Sequence, residues 1–147
     1  MKVEVQSETV ASTAGNVLAE GAGTYRKYDL EDRLIEFAAE VTEVVETLPA
    51  NRTGSHIAGQ LVRCCTSPML NYGEAQAAES RADFIHKMKV SLKELRETRT
   101  CLKFIRRKKL FNQAEKLERD LRENEELIQI FVKSIATARQ NLRNEGK

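Results

Sequence analysis

Residues 114–142 read AEKLERDLRENEELIQIFVKSIATARQNL. Ala114, Leu117, Leu121, Asn124, Ile128, Phe131, Ile135, Ala138 and Leu142 follow at alternating steps of three and four. Such steps line one stripe of an α-helix, and an unbroken series of them makes a seam that packs on other helices. One member of the seam is polar. A lone Asn there either sets register and oligomeric state or closes a hydrogen bond within its own chain. Asn112-Gln113-Ala114-Glu115 has the form of a capping box at the start of this fourth helix.

Three further helices precede it. Ser80-Arg81-Ala82-Asp83 reads as a cap, followed by a helix through about Arg107 with the stripe Ile85, Met88, Leu92, Leu95, Arg99 and Leu102. Phe84 and Ile105 widen this stripe. A second helix is expected from about Ser55 to Glu79, with Thr53 or Ser55 as its cap. It carries two adjacent stripes, one of Ile57, Leu61, Cys64, Pro68, Asn71, Ala75 and Ala78, the other of Ala58, Val62, Cys65, Met69, Tyr72 and Gln76. A face this wide is expected to sit deep. Pro68 lacks a backbone donor and is expected to bend the helix, with Asn71 buried and hydrogen-bonded nearby. The first helix follows Asp29 as N-cap. It buries Leu30, Leu34, Ile35, Ala38, Val41, Val45 and Leu48, and ends at Leu48-Pro49.

Residues 1–24, rich in Ala, Gly, Ser and Thr, read as a flexible arm, and residues 25–147 as the helical domain. The chain has 147 residues, enough for one core. With 41% apolar and 31% charged residues it is globular, and with only 7 glycines and 2 prolines it lacks the turns an all-β fold needs. Four long helices on short connections fold most simply as an all-α, up-down-up-down four-helix bundle. No run of apolar residues is long enough to cross a bilayer and no secretory signal is visible, so a cytoplasmic protein without membrane partners is expected.

Charge is unevenly spread. Residues 25–50 hold three cations against seven carboxylates, a net −4; residues 81–109 hold eleven against three, a net +8. The acidic first helix and the basic third are expected to offset one another in part, and the excess to face solvent or a partner. Lys89, Lys93, Arg96, Lys103, Arg106, Arg107, Lys108 and Lys109 are the candidate nucleic-acid-binding residues, since such a stripe can neutralise phosphates. Taken as a run of cations without stacking aromatics, it carries no expectation of base stacking. The competing interpretation is a solvated or ion-paired helix face.

Signals for catalysis are weak. There is no Gly-x-Ser-x-Gly, phosphate loop or dinucleotide fingerprint. Asp83-Phe84-Ile85-His86 has the spacing of half a di-metal site, but His56 lacks a carboxylate three residues before it. Cys64, Cys65 and Cys101 offer no Cys-x-x-Cys pair and read as reduced, mostly buried thiols. No catalytic residue, metal or cofactor is therefore expected, and a metal-dependent enzyme ranks third among the readings.

Several motifs occur in an order that resembles the 23S rRNA-intervening-sequence protein family. They are Gln60-Leu61-Val62-Arg63, Ser67-Pro68-Met69-Leu70-Asn71-Tyr72-Gly73-Glu74-Ala75, Asp83-Phe84-Ile85-His86-Lys87, and Ser91-Leu92-Lys93-Glu94-Leu95-Arg96-Glu97-Thr98. The resemblance covers roughly residues 25–140. The commoner family form sets proline one residue nearer the Asn, so this chain looks like a divergent branch. The resemblance implies a left-handed four-helix bundle, a ring-like homo-oligomer, a pentamer, and no enzymatic activity. By analogy with a distant basic pentamer, the accessory protein of diversity-generating retroelements, it suggests RNA or DNA as a partner. The alternative is a structural or protein-interaction oligomer with no nucleic-acid role.

Overall fold

The computed structural model describes residues 22–147. Four helices occur among them and no strand: α1 (Ala22–Thr47), α2 (Arg52–Gln76), α3 (Arg81–Lys108) and α4 (Ala114–Glu145). The chain divides into two compact units, residues 1–33 and 34–147. Of the first, the described part is the helical stretch 22–33; the second carries the all-α four-helix bundle and its core. Most of the expected N-terminal arm lies outside the described residues, but residues 22–24 belong to α1.

Ion pairs between neighbouring helices fix their direction. Arg63 of α2 meets Glu94 and Glu97 of α3, while Glu74, further along α2, meets Lys87, further back on α3. Arg81, Arg99 and Arg106 of α3 meet Glu145, Glu125 and Glu118 of α4 in descending order. Both pairs of helices therefore run antiparallel, as connections of a few residues require.

The core follows the stripes, with shifts. Leu117, Leu121, Asn124, Ile128, Phe131, Ile135 and Ala138 are all buried, while Ala114 and Leu142 at the ends of the seam are exposed. On α3, Ile85, Met88, Leu92, Leu95, Leu102 and Ile105 are buried. Tyr72 of α2 meets Phe131 of α4 edge-to-face, with ring centroids 6.1 Å apart. The second helix is not buried as broadly as expected. Leu61, Cys64, Cys65, Pro68, Tyr72 and Ala75 face inward, but Val62 and Gln76 are exposed. The buried members of both stripes cluster within about 60° of Leu61, and Val62 and Gln76 lie on the outer edge of the second stripe, turned from the core. On α1, Ile35 is exposed, and Phe37 and Val44 take buried places that the simple spacing passed over. Asn124, at 0% exposure, has no hydrogen-bond partner for either amide atom among the described residues, so the satisfied intramolecular bond is not formed.

Helix ends depart from expectation in three places. α1 runs through Asp29 from Ala22, so Asp29 is not its cap. Nothing between Thr24 and Asp29 breaks a helix, and elongation is favourable once a nucleus exists. α2 is capped by Asn51, whose side chain accepts from the Gly54 N–H at 2.8 Å, so neither Thr53 nor Ser55 serves. The backbone reverses sharply after Pro49, which brings the cap forward. α2 then runs unbroken through Pro68 to Gln76. Asn71 is half-buried and donates within its own helix, to the Ser67 carbonyl at 3.0 Å and hydroxyl at 2.9 Å. Ser80 caps α3 as expected, accepting from the Asp83 N–H at 3.0 Å. Gln113 occupies the cap position of α4 and makes no side-chain capping bond. That leaves Asn112 one place outside, and the expected box does not close.

Candidate nucleic-acid interface

The eight candidate cations are all exposed, but they do not share one face. At about 100° per residue, Lys89, Lys93, Arg96, Lys103 and Arg107 keep to one line along α3, within about 40° of its middle. Eighteen residues from first to last extend the line over about 27 Å. Arg106 is turned toward α4, where its guanidinium donates to both Glu118 oxygens at 3.2 and 3.0 Å. Lys108 is turned the other way. Lys109 lies past the helix as its left-handed cap, with φ 58°.

Pairing separates these cations further. Lys93 stands 3.6 Å from Glu94. Lys89, Arg96, Lys103, Arg107, Lys108 and Lys109 make no ion pair among the described residues. The expected offset between α1 and α3 does not occur there either. Glu40 and Glu43 of α1 meet Lys116 of α4, at 2.8 and 3.6 Å. Carboxylates of α2 and α4, the sequence neighbours of α3, supply its cross-helix ion pairs instead.

The second helix adds groups that the charge count of α3 alone did not point to. Arg63 donates to Glu94 at 3.0 Å, Glu97 at 2.7 Å and Gln60 at 3.1 Å. The Glu94 side chain is only 7% exposed, and Arg63 balances its buried charge. Beside this bridge lies an open groove of about 750 Å³ between α2 and α3. His56, Gln60 and Arg63 form one wall; Lys93, Arg96, Glu97, Thr100 and Cys101 form the other. The spacing of Arg63 from the acidic positions of α3 was the only sequence signal for it.

Cys101 is half-buried in this groove, while Cys64 and Cys65 are buried. The Cys64 thiol donates to the Leu61 carbonyl at 3.6 Å. Its interaction with Cys101 lowers the Cys101 thiol and raises that of Cys64; burial raises Cys64 further. Burial, then the neighbouring Cys64, pushes Cys65 up to about 12. The reading of buried, inert thiols thus describes Cys64 and Cys65, and Cys101 differs. Among the described residues no group of three or more His, Cys, Asp or Glu is placed to hold a metal ion, and no helix is long and apolar enough to cross a membrane.

One further correction concerns aromatics. Phe104 stands between Lys103 and Arg106 and is 38% exposed, so the stripe does carry an aromatic ring.

The fold and this face define a class: an all-α bundle with a cationic helix on its outside. Within that class, the sequence profile of the 23S rRNA-intervening sequence protein family matches residues 26–130, and the chain belongs to that family. Among solved structures it is similar to a protein of unknown function from the S23 ribosomal protein family of Bacteroides thetaiotaomicron. The two are 29% identical, with a TM-score of 0.66, over 72% of this chain and 97% of the other. No curated protein matches the chain.

Proposed function

We propose that this chain is a non-enzymatic, homo-oligomeric bundle of the cytoplasm that binds nucleic acid through the outer face of α3. The observation that carries this reading is the line of five cations on α3, of which Lys89, Arg96, Lys103 and Arg107 have no ion pair among the described residues. Unpaired cations in a row cost self-repulsion, and a polyanion laid along them relieves it. The name of the family, which refers to an intervening sequence in 23S rRNA, makes RNA the first nucleic acid to try. Contacts to phosphates position a chain without reading its bases, so sequence preference on this face is weak.

The test is binding of RNA and DNA by fluorescence anisotropy between low and physiological salt. Five phosphate contacts per protomer give a slope of about −4 to −5 in log K against log salt on duplex DNA. Changing Lys103 and Arg107 to Glu flattens the slope and weakens every sequence alike. Binding that ignores both salt and these changes overturns the reading.

A second reading, a structural or protein-interaction oligomer, is favoured by the exposed Ile35, Val62, Leu70, Val132 and Leu142, with Leu70 at 62% exposure. In both readings the chain associates with itself, and the family resemblance supports a pentamer. Light scattering at micromolar concentration tests this directly, and a monomer refutes the self-association in both.

A further inference from the structure

We infer that the C-terminal half of α3 is a stacking site for an unpaired nucleobase, with Phe104 as the platform and Lys103, Arg107 and Lys108 holding the adjoining backbone. This rests on the nucleic-acid reading above and names the substrate class: a single strand or loop rather than a closed duplex.

Phe104 is the only one of the five phenylalanines that is exposed. Phe37 and Phe131 are buried, and Phe84 and Phe111 are half-buried. Leu102 and Ile105 on either side are fully buried, while Phe104 keeps 38% of its surface open to solvent. Helix propensity does not favour Phe at a surface site, where Leu, Lys or Glu do better. The ring is set among cations. Lys103 precedes it, and Arg107 and Lys108 follow one turn later, on the adjacent surface of the helix. All three are exposed, and none makes an ion pair among the described residues. One turn earlier stands Thr100, on the wall of the α2–α3 groove, where Lys93 and Arg96 adjoin the Arg63–Glu97 ion pair.

A flat apolar ring amid unpaired cations suits a ligand with two parts, an apolar face and a regularly spaced negative charge. Nucleic acid has both, but a duplex keeps its base faces stacked on one another. Only unpaired bases offer a free face, and stacking on it tolerates any sequence. A second copy of the chain docking by the same patch would set Lys103, Arg107 and Lys108 against their own equivalents, and like charges brought together oppose that contact.

The test compares a labelled, unstructured 12-nucleotide RNA with a 12-base-pair RNA duplex, using wild type, Phe104→Leu, Phe104→Trp and Lys103→Glu/Arg107→Glu. Phe104→Leu keeps the apolar bulk and removes the aromatic face. It is expected to weaken single-strand binding by about 5- to 150-fold and leave duplex binding within twofold. Phe104→Trp is expected to retain single-strand binding, and the charge variant to lose both ligands. Equal loss on both ligands for Phe104→Leu, or no loss on the single strand, overturns the stacking site while the electrostatic reading stands. Binding of neither RNA by wild type at low salt overturns the electrostatic reading itself. A change of oligomeric mass in Phe104→Leu by light scattering makes the ring a protein contact and also overturns the proposal.

Discussion

Lys116 and Asp120, one turn apart on α4, hold Nζ and Oδ2 3.3 Å apart with both side chains almost wholly removed from solvent. The same ammonium donates to the Glu40 carbonyl at 3.0 Å and carboxylate at 2.8 Å, so one cation ties α1 to α4. Burial works against the charged lysine, but its bonds to Glu40 and Asp120 outweigh this and hold its pKa above the ordinary value. For Asp120 burial wins, and its pKa is raised despite Lys116.

Removing one partner of such a pair leaves the other buried and uncompensated. Lys116→Met is expected to cost about 3–5 kcal/mol in urea unfolding, and Lys116→Met/Asp120→Leu to recover most of it. The pH dependence has a definite sign. A carboxyl whose folded pKa is raised binds its proton more readily folded than unfolded, so its contribution to stability falls as pH rises through that window. Without Lys116 the Asp120 pKa rises further. The deficit of Lys116→Met is therefore expected to shrink as pH falls below the raised Asp120 value. A deficit independent of pH would show that Asp120 is not the cause.

Asn124 gives a second stability test. Each amide atom without a partner in the core costs about 1–3 kcal/mol. Leu has the same branching and satisfies the heptad seam, so Asn124→Leu is expected to stabilise the protein by at least the cost of one such atom, about 1–3 kcal/mol, read as a higher urea midpoint. Light scattering of the same variant decides whether the Asn also sets register, as polar seam residues do. A stabilised protein of unchanged mass limits its effect to an uncompensated polar group.

How far the sequence led is clearest in α4 and α2. The α4 seam was legible because a strict three-four rhythm leaves one solution, and seven of its nine members are buried. On α2 two apolar stripes side by side suggest a wider buried face than the neighbouring helices cover, and its outer edge at Val62 and Gln76 stays open. The cations of α3 were legible as a charge block. Their division into a free line and a paired flank was not, since it depends on Glu118 and Glu125 arriving from α4. Phe104 was visible in the sequence, but its exposure follows from which side of α3 the partners leave open. Lys116 and Asp120 were not singled out, because nothing local foretells that α1 meets this part of α4 through Glu40.

Gly54 is buried at the turn into α2, where its N–H donates to Asn51. A Cβ there would collide with the Pro49 carbonyl oxygen and come within 2.9 Å of its carbon. Those are backbone atoms and cannot rotate away. Gly54→Ala is expected to destabilise by about 1–3 kcal/mol, read as a lower urea midpoint. Asn51→Ala, which removes only the cap, is expected to cost about 1 kcal/mol. A Gly54→Ala protein as stable as wild type would mean that the turn can open without loss.

Lys109 ends α3 in the left-handed region, at φ 58° and ψ 43°, with its N–H on the Arg106 and Ile105 carbonyls. Leu110 then donates to Ile105 at 3.0 Å, so the chain closes the helix in a double turn usually given to glycine. A Cβ in this conformation costs roughly 1–2 kcal/mol. Lys109→Gly removes the strain and also the charge, so the two roles of this residue separate in one variant. Stability is expected to rise by up to about 1 kcal/mol, read as a higher urea midpoint and less than the full strain because glycine also frees the unfolded chain. Lys109 lies just past the end of the five-cation line. On the nucleic-acid reading it is a sixth phosphate contact there, and its loss is expected to lower the salt slope of binding by about one. Lys109→Gln, which loses the charge and keeps the strain, should reproduce the change in slope without the gain in stability. A slope untouched in both variants would remove Lys109 from the interface and leave it as a cap that happens to be a lysine.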